Sequence, residues 1–260
     1  ISEYFSITDN TPPSVEIISP IVGSSFVIGA SAAITWSEED NVGITDREFA
    51  WSTDSQWTDI VPDSTVGTTH WFQVPNAPTD NFSLRAIVSD AVGLSDTSIV
   101  SGIGVVIEYP MLVSYTPMDT YSPLTMDNIQ LEFSVAMDPA TISNISLSSA
   151  LFGNIAYTQG GTTSSFNLAL SQSMSSLDTL SLTLPVSLQS SYGYGFDGNA
   201  DGEAGDGKTI TLYLETLADY NHTQTVDFDD LTAFITAWYA DDYSKELGPF
   251  TGNVPHLIPE

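Results

Sequence analysis

A mainly β chain of two tandem antiparallel sandwiches, followed by an acidic loop and one short α-helix, is predicted by three observations. Apolar and polar residues alternate over short segments along most of the 260 residues. Turn residues interrupt those segments at the intervals of a sandwich, and the apolar period lengthens once, near the C-terminus.

Residues 1–10 run into Asn10-Thr11-Pro12-Pro13 and read as a linker. The first sandwich is expected over 11–109. Phe82, Leu84, Ala86 and Val88 alternate with Ser83, Arg85, Ile87 and Ser89, leaving one apolar residue on the outward face. Further strands are expected over 14–18, 32–36, 47–51, 71–74 and 99–108. Asp-Asn-Val-Gly and Asp-Ala-Val-Gly turns lie between them. About six or seven short strands in roughly 100 residues suit an antiparallel sandwich.

Pro110 opens the second sandwich, expected over 110–216. Ile129, Leu131 and Phe133 alternate with Gln130 and Glu132, and the pattern returns at Phe166–Leu168–Leu170, Leu180–Leu182–Leu184 and Ile210–Leu212–Leu214. Segments 112–115, 145–147 and 155–157 complete about seven strands. In the region 217–260, Phe228, Leu231, Phe234, Ile235, Trp238 and Tyr239 recur at spacings of three and four, which predicts one amphipathic helix. Asp227 is its expected N-cap, and Asp230 sits in the first turn, where the helix dipole favours negative charge. A face this apolar is expected to dock on the second sandwich or on a partner. The tail 250–260 shows no clear period.

Charge is the unusual quantity. Asp and Glu number 33, against Arg47, Arg85, Lys208 and Lys245, for a formal charge of −29. Such a surface repels phosphate backbones and anionic lipid, which argues against nucleic-acid or membrane-surface partners. It also repels itself unless counter-ions neutralise it, and Ca²⁺ suits clustered carboxylate and carbonyl oxygens. The chain has no cysteine, which excludes disulfides, thiolate zinc sites and cysteine nucleophiles. No apolar run approaches the roughly 18 residues of a membrane span. The first residue is Ile1, with no leader peptide, so the chain is expected to be a processed or excised fragment.

Two acidic loops carry the sharpest signals. In 219–230, side-chain oxygens fall at loop positions 1, 3, 5, 9 and 12: Asp219, Asn221, Thr223, Asp227 and Asp230. Thr225 at position 7 can offer its carbonyl, and the apolar Val226 at position 8 can pair back into the fold. A 12-residue calcium loop leading into a helix has this spacing. Gln224 stands where glycine is usual, and Asp230 replaces the usual glutamate. The competing reading is an Asx-rich turn that caps a helix without an ion.

The second loop is Asp197-Gly-Asn199-Ala-Asp201-Gly-Glu203-Ala-Gly205-Asp206. Asp197, Asn199 and Asp201, followed by Gly202, match the first half of a calcium loop, with Glu203 or Asp206 available to close the shell. Because a strand follows, the loop is expected inside a strand connection. A flexible acidic hairpin is the alternative. In the first sandwich, Asp40 and Asp90 open the two Asp-x-Val-Gly turns. They are candidates to share an ion at one end, or simply to cap their turns.

Three resemblances rest on these residues. The 219–230 loop with Leu231, Phe234 and Trp238 resembles one half of a dockerin-type calcium repeat, a family that normally carries two loop–helix units and binds cohesin through the pair. Residues 110–216 are similar to the bacterial Ig-like domains of S-layer and other surface proteins. That likeness is carried by 131–141, with Met137-Asp138-Pro139, and by the late acidic loop. The first sandwich resembles extracellular Ig-like modules through residues 39–44 and 89–94. Together they imply Ig-like sandwiches in a bacterial cell-surface or extracellular setting, Ca²⁺ as the bound ion, and no catalytic residues.

His70, His222 and His256 are far apart in sequence and lack the Ser or Asp context of a triad. Carboxylates are too abundant for any chosen pair to signal glycoside hydrolysis. Trp36, Trp51 and Trp71 lie on strand patterns and are expected in cores, whereas Trp57 lies in a polar loop and is the candidate ligand-binding aromatic. The expected function is a calcium-stabilised adhesion or spacer module rather than an enzyme. The alternatives are a calcium-dependent S-layer or filament subunit, and an accessory carbohydrate-binding region of a polysaccharide-degrading enzyme. Partners would then be other surface proteins, copies of the chain or extracellular glycans.

Overall fold

The structure, a computed structural model, describes residues 9–61, 64–117, 126–214, 216–221, 223, 225–242, 245, 250–253 and 256–259. The chain divides into two compact units, Ile1–Glu108 and Tyr109–Glu260.

In the first unit, β1 (Ser14–Ser19), β3 (Ser31–Glu39), β7 (Thr69–Gln73) and β6 (Ser64–Val66) form one sheet, in the order β1-β3-β7-β6. A second sheet runs β2-β9-β8-β4-β5, from β2 (Ser25–Val27), β9 (Ser95–Val106), β8 (Thr79–Asp90), β4 (Ile44–Ser52) and β5 (Thr58–Asp59). Pairing is antiparallel except between β2 and β9. The strands β2, β5 and β6 are only two or three residues long, too short for alternation to register, and the sequence pattern misses them.

Alternation along β8 packs Phe82, Leu84, Ala86 and Val88 inward, each fully buried, as the pattern predicts. Aromatic rings tie the two sheets together. Trp36 of β3 lies 4.7 Å from Phe49 of β4, and Phe26 of β2 meets Phe72 of β7 edge-on at 6.0 Å. Trp36 is buried as expected, but Trp71 is exposed because its position on β7 faces away from the core. On β1, the Val15 and Ile17 N–H groups donate across to Asp96 Oδ2 and Ser98 Oγ of β9, so side chains of one sheet satisfy the edge of the other.

The second unit also contains two facing sheets. One runs β10-β11-β15-β14, from β10 (Leu112–Thr116), β11 (Met126–Phe133), β15 (Ser165–Met174) and β14 (Tyr157–Thr162). The other runs β13-β12-β16-β17, from β13 (Gly153–Ile155), β12 (Ser146–Ser149), β16 (Thr179–Leu184) and β17 (Lys208–Tyr213). Ile129, Leu131 and Leu168 from the first meet Leu147, Leu180, Leu182 and Ile210 from the second in one buried cluster. The segment expected as a single strand over 155–157 divides between β13 and β14, which belong to different sheets.

A short helix, α1 (Pro139–Ile142), follows the Met-Asp-Pro triplet, and each residue has a local reason. Met137 is buried, the Asp138 carboxylate caps the helix by accepting the Ala140 N–H, and Pro139 occupies the first turn, where its missing N–H costs nothing. The predicted C-terminal helix is α2 (Phe228–Tyr239). Its expected apolar face is not covered among the described residues: Phe228, Leu231, Ile235, Trp238 and Tyr239 are exposed. Asp230 and Ala237 are the buried positions, and Phe234 stacks on Tyr220 at 6.3 Å. The tail without a clear period forms a hairpin of β18 (Phe250–Asn253) and β19 (His256–Pro259). Among the described residues no helix is long and apolar enough to cross a membrane.

His70 of β7 is buried, with its ring 4.4 Å from that of Phe49, and burial lowers its pKa below the ordinary value. Such a base binds a proton more readily in the unfolded chain. The stability it contributes is therefore complete above the unfolded value and is lost as pH falls from there through the folded one. The melting temperature of the first sandwich is expected to fall as pH drops below the ordinary histidine value of about 6.5. His70→Gln should flatten that slope in calorimetric scans; an unchanged slope would show that another group controls it.

Candidate metal centre

The sequence-predicted loop 197–206 lies in the connection from β16 to β17. Asp197 is almost wholly buried and organises the turn. Its Oδ1 accepts the N–H groups of Ala200 (2.6 Å) and Asp201 (3.2 Å), and its Oδ2 accepts that of Gly202 (2.9 Å). Asn199 accepts the Asp201 N–H through Oδ1 and donates to Asp201 Oδ2 through Nδ2. Gly198 is required by a close backbone approach, since a Cβ there would lie 2.6 Å from the Gly207 carbonyl carbon.

The result gathers Asp197, Asp201 and Asp206, whose ligand oxygens all lie within 4.8 Å of one another. Oxygens around one calcium ion at about 2.3–2.6 Å have this spacing. Glu203 is outside the group, and its N–H donates to Asp201 Oδ1. Of the two residues available for closure, the fold brings in Asp206.

The loop 219–230 is arranged differently. Asp219 is buried and its Oδ1 accepts the Thr223 N–H, as does Asn221 Oδ1. The Thr223 hydroxyl donates to the Thr225 carbonyl, so two of the expected donors bond each other. Asp227 caps α2 by accepting the Asp229 N–H. Asp230 Oδ1 accepts from Tyr220 (2.7 Å) and Asn221 (3.2 Å), and its Oδ2 accepts the Asp227 N–H (2.9 Å), completing a capping box.

The Asp227 N–H, then those of Asn221 and Tyr220, hold the Asp230 carboxyl below its ordinary pKa against the opposing effect of burial. Asp219, Asp227 and Asp230 do not form a group of mutually close ligand oxygens among the described residues. Val226 is half exposed, while its flank lines an open apolar cleft of about 240 Å³ with Tyr220, Leu231 and Phe234. Gln224 and His222 lie outside the described residues.

In the first sandwich, register brings the two aspartates of the Asp-x-Val-Gly turns together. Asp40 follows the end of β3, and Asp90 ends β8, where it pairs with Ile44 at the start of β4. Asp9 joins them, a residue the sequence reading left in a linker. The ligand oxygens of Asp9, Asp40 and Asp90 all lie within 4.8 Å of one another. Asp9 and Asp40 are 31 positions apart, so only the pairing of Ser14 with Glu39 in the β1–β3 ladder could reveal it.

Trp57, the candidate ligand-binding aromatic, is half buried, and the Arg85 guanidinium covers one ring face at 4.6 Å from the centroid. A sugar stacking on that face would have to displace the cation.

Asp197→Ala removes the acceptor of three backbone N–H groups at a buried position. It is expected to cost about 2–3 kcal/mol in urea unfolding, with Asp197→Asn intermediate. An alanine variant as stable as the parent would show that the loop closes without this carboxylate.

No protein-family model matches the chain, and no curated protein matches it. Solved structures similar to it include a chimeric titin Z1Z2 carrying a decorin peptide, at 14% identity over 80% of this chain and 99% of that one, with a TM-score of 0.37. The Sidekick-1 immunoglobulin domains 1–5 match at 10% identity over 78% of this chain and 39% of theirs, with a TM-score of 0.41. Fibronectin(III)-like modules of Clostridium thermocellum CbhA match at 16% identity over 35% of this chain and 94% of theirs, with a TM-score of 0.27. The mainly β, tandem-sandwich architecture stands on the strand order and the buried cores described above.

Proposed function

We propose that this chain is a calcium-stabilised spacer or adhesion module of a secreted or cell-surface bacterial protein, and not an enzyme. The observation that carries the reading is a pair of carboxylate trios, one in each compact unit, each with its ligand oxygens within 4.8 Å. Gathering like charges is unfavourable unless a cation lies among them. The protein supplies few cations of its own. Among the described residues the ion pair is Arg47 with Glu38, in a chain whose formal charge is −29.

Each trio ties together chain segments at a strand connection, so a bound ion would stiffen the end of a sandwich. Such stiffening suits a module that holds other parts of a protein apart or presents a surface. Sites with few protein donors suit the weak calcium affinities of extracellular modules. The 219–230 loop is included in the proposal.

Calcium titration by calorimetry, with thermal melts of the parent, Asp201→Ala and Asp219→Ala, tests the reading. Calcium at a hundred times the dissociation constant should add about 2.7 kcal/mol per site to the parent, and each variant should lose one site's share. A chain that gives no heat and no change in melting temperature with calcium is not a calcium-stabilised module.

A further inference from the structure

Among the described residues, two buried oxygen atoms at one end of the first sandwich have no hydrogen-bond partner: Oδ1 of Asp40 and Oδ2 of Asp90. In both carboxylates the other oxygen is already used. Asp40 Oδ2 accepts the N–H groups of Val42 and Gly43, and Asp90 Oδ1 accepts those of Val92 and Leu94. The two Asp-x-Val-Gly turns are thus built alike, each consuming one carboxylate oxygen and leaving the other inside. Asp90 is only 4% exposed. A buried carboxylate oxygen without a donor is costly, and a second carboxylate with an oxygen within 4.8 Å adds repulsion.

The third carboxylate arrives from the segment ahead of β1. Asp9 Oδ1 accepts the Thr11 N–H at 3.1 Å and the Asn41 side-chain N–H at 3.3 Å, so it is attached both to its own segment and to the Asp40 turn. Its ligand oxygen lies within 4.8 Å of those of Asp40 and Asp90. The Arg47 guanidinium, close in sequence, is engaged by Glu38.

We propose that Asp9, Asp40 and Asp90 form a calcium site that clamps the segment leading into β1 onto the end of the first sandwich. The proposal deepens the calcium-stabilised module above and rests on it. An all-carboxylate donor set selects a hard cation. Calcium tolerates the irregular shell left when each turn has committed one oxygen, whereas magnesium demands a near-ideal octahedron and keeps its own waters. The ion would complete the two orphaned oxygens and fix the direction in which the chain approaches the sandwich.

The test uses the full chain with Asp9→Asn, Asp90→Asn and Asp201→Asn, each titrated with calcium by calorimetry. Amide hydrogen exchange of segment 9–19 is followed with calcium and with EGTA. Asparagine keeps the Oδ1 acceptor, so Asp90→Asn should retain its turn and its fold. Asp90→Asn is expected to bind one calcium fewer per chain. Asp9→Asn should lose the site or weaken it by about tenfold or more, and should abolish calcium-dependent protection of segment 9–19. Loss of the ion in Asp90→Asn with unchanged binding in Asp9→Asn overturns the clamp. Full stoichiometry in both, with a site lost only in Asp201→Asn, overturns this centre but leaves the calcium-stabilised module standing. A parent chain that binds no calcium removes both.

Discussion

Antiparallel register is the constraint on which the rest of this structure depends. One face of the core strands is apolar, and shifting such a strand by one residue would turn that face to water. Phe82, Leu84, Ala86 and Val88 on β8, and Leu180, Leu182 and Leu184 on β16, are wholly buried and so hold their ladders in place. Once the ladders are set, the residues that open and close the turns have fixed addresses. Ser14 stands opposite Glu39, and Ile44 opposite Asp90. Those two pairings bring Asp9, Asp40 and Asp90 to one end of a sandwich from three separate parts of the chain.

Part of the surplus of acid is absorbed by backbone N–H groups. Asp40 and Asp90 hold their turns, Asp138 and Asp227 cap helices, and Asp197 and Asp230 each accept three N–H groups. Asp178, also buried, accepts from the Ser149 hydroxyl and from the N–H groups of Leu151 and Thr179. Each such bond satisfies a carboxylate oxygen without a basic side chain. A protein with four Lys and Arg residues can therefore bury several carboxylates and still fold. The oxygens of Asp40 and Asp90 that this arrangement leaves over are the ones that point to a cation.

The loop ahead of α2 illustrates two uses of one residue. Asp230 stands where a calcium loop places its last ligand, and it also occupies the third helical position, where a carboxylate closes a capping box. In the structure both of its oxygens serve backbone donors. Spacing alone does not separate the two roles, because both need an acid in the first turn of a helix. The apolar face beyond it was read from its period as a docking face, yet period reports which residues share a side and not what covers them.

By itself the sequence determined the two sandwiches, the long strands, the helix over 228–239 with its Asp227 cap, and the acidic loop at 197–206. All of these rest on local spacing, which a linear pattern records. Strands of two or three residues, the division of 155–157 between two sheets, and the hairpin in the tail carry too little periodicity to be read that way. Tertiary structure alone decided that Asp206 rather than Glu203 joins Asp197 and Asp201, that Arg85 covers Trp57, and that Asp9 belongs with Asp40 and Asp90. These are meetings across ladders and loop closures, set by register and backbone approach, and no spacing along the chain encodes them.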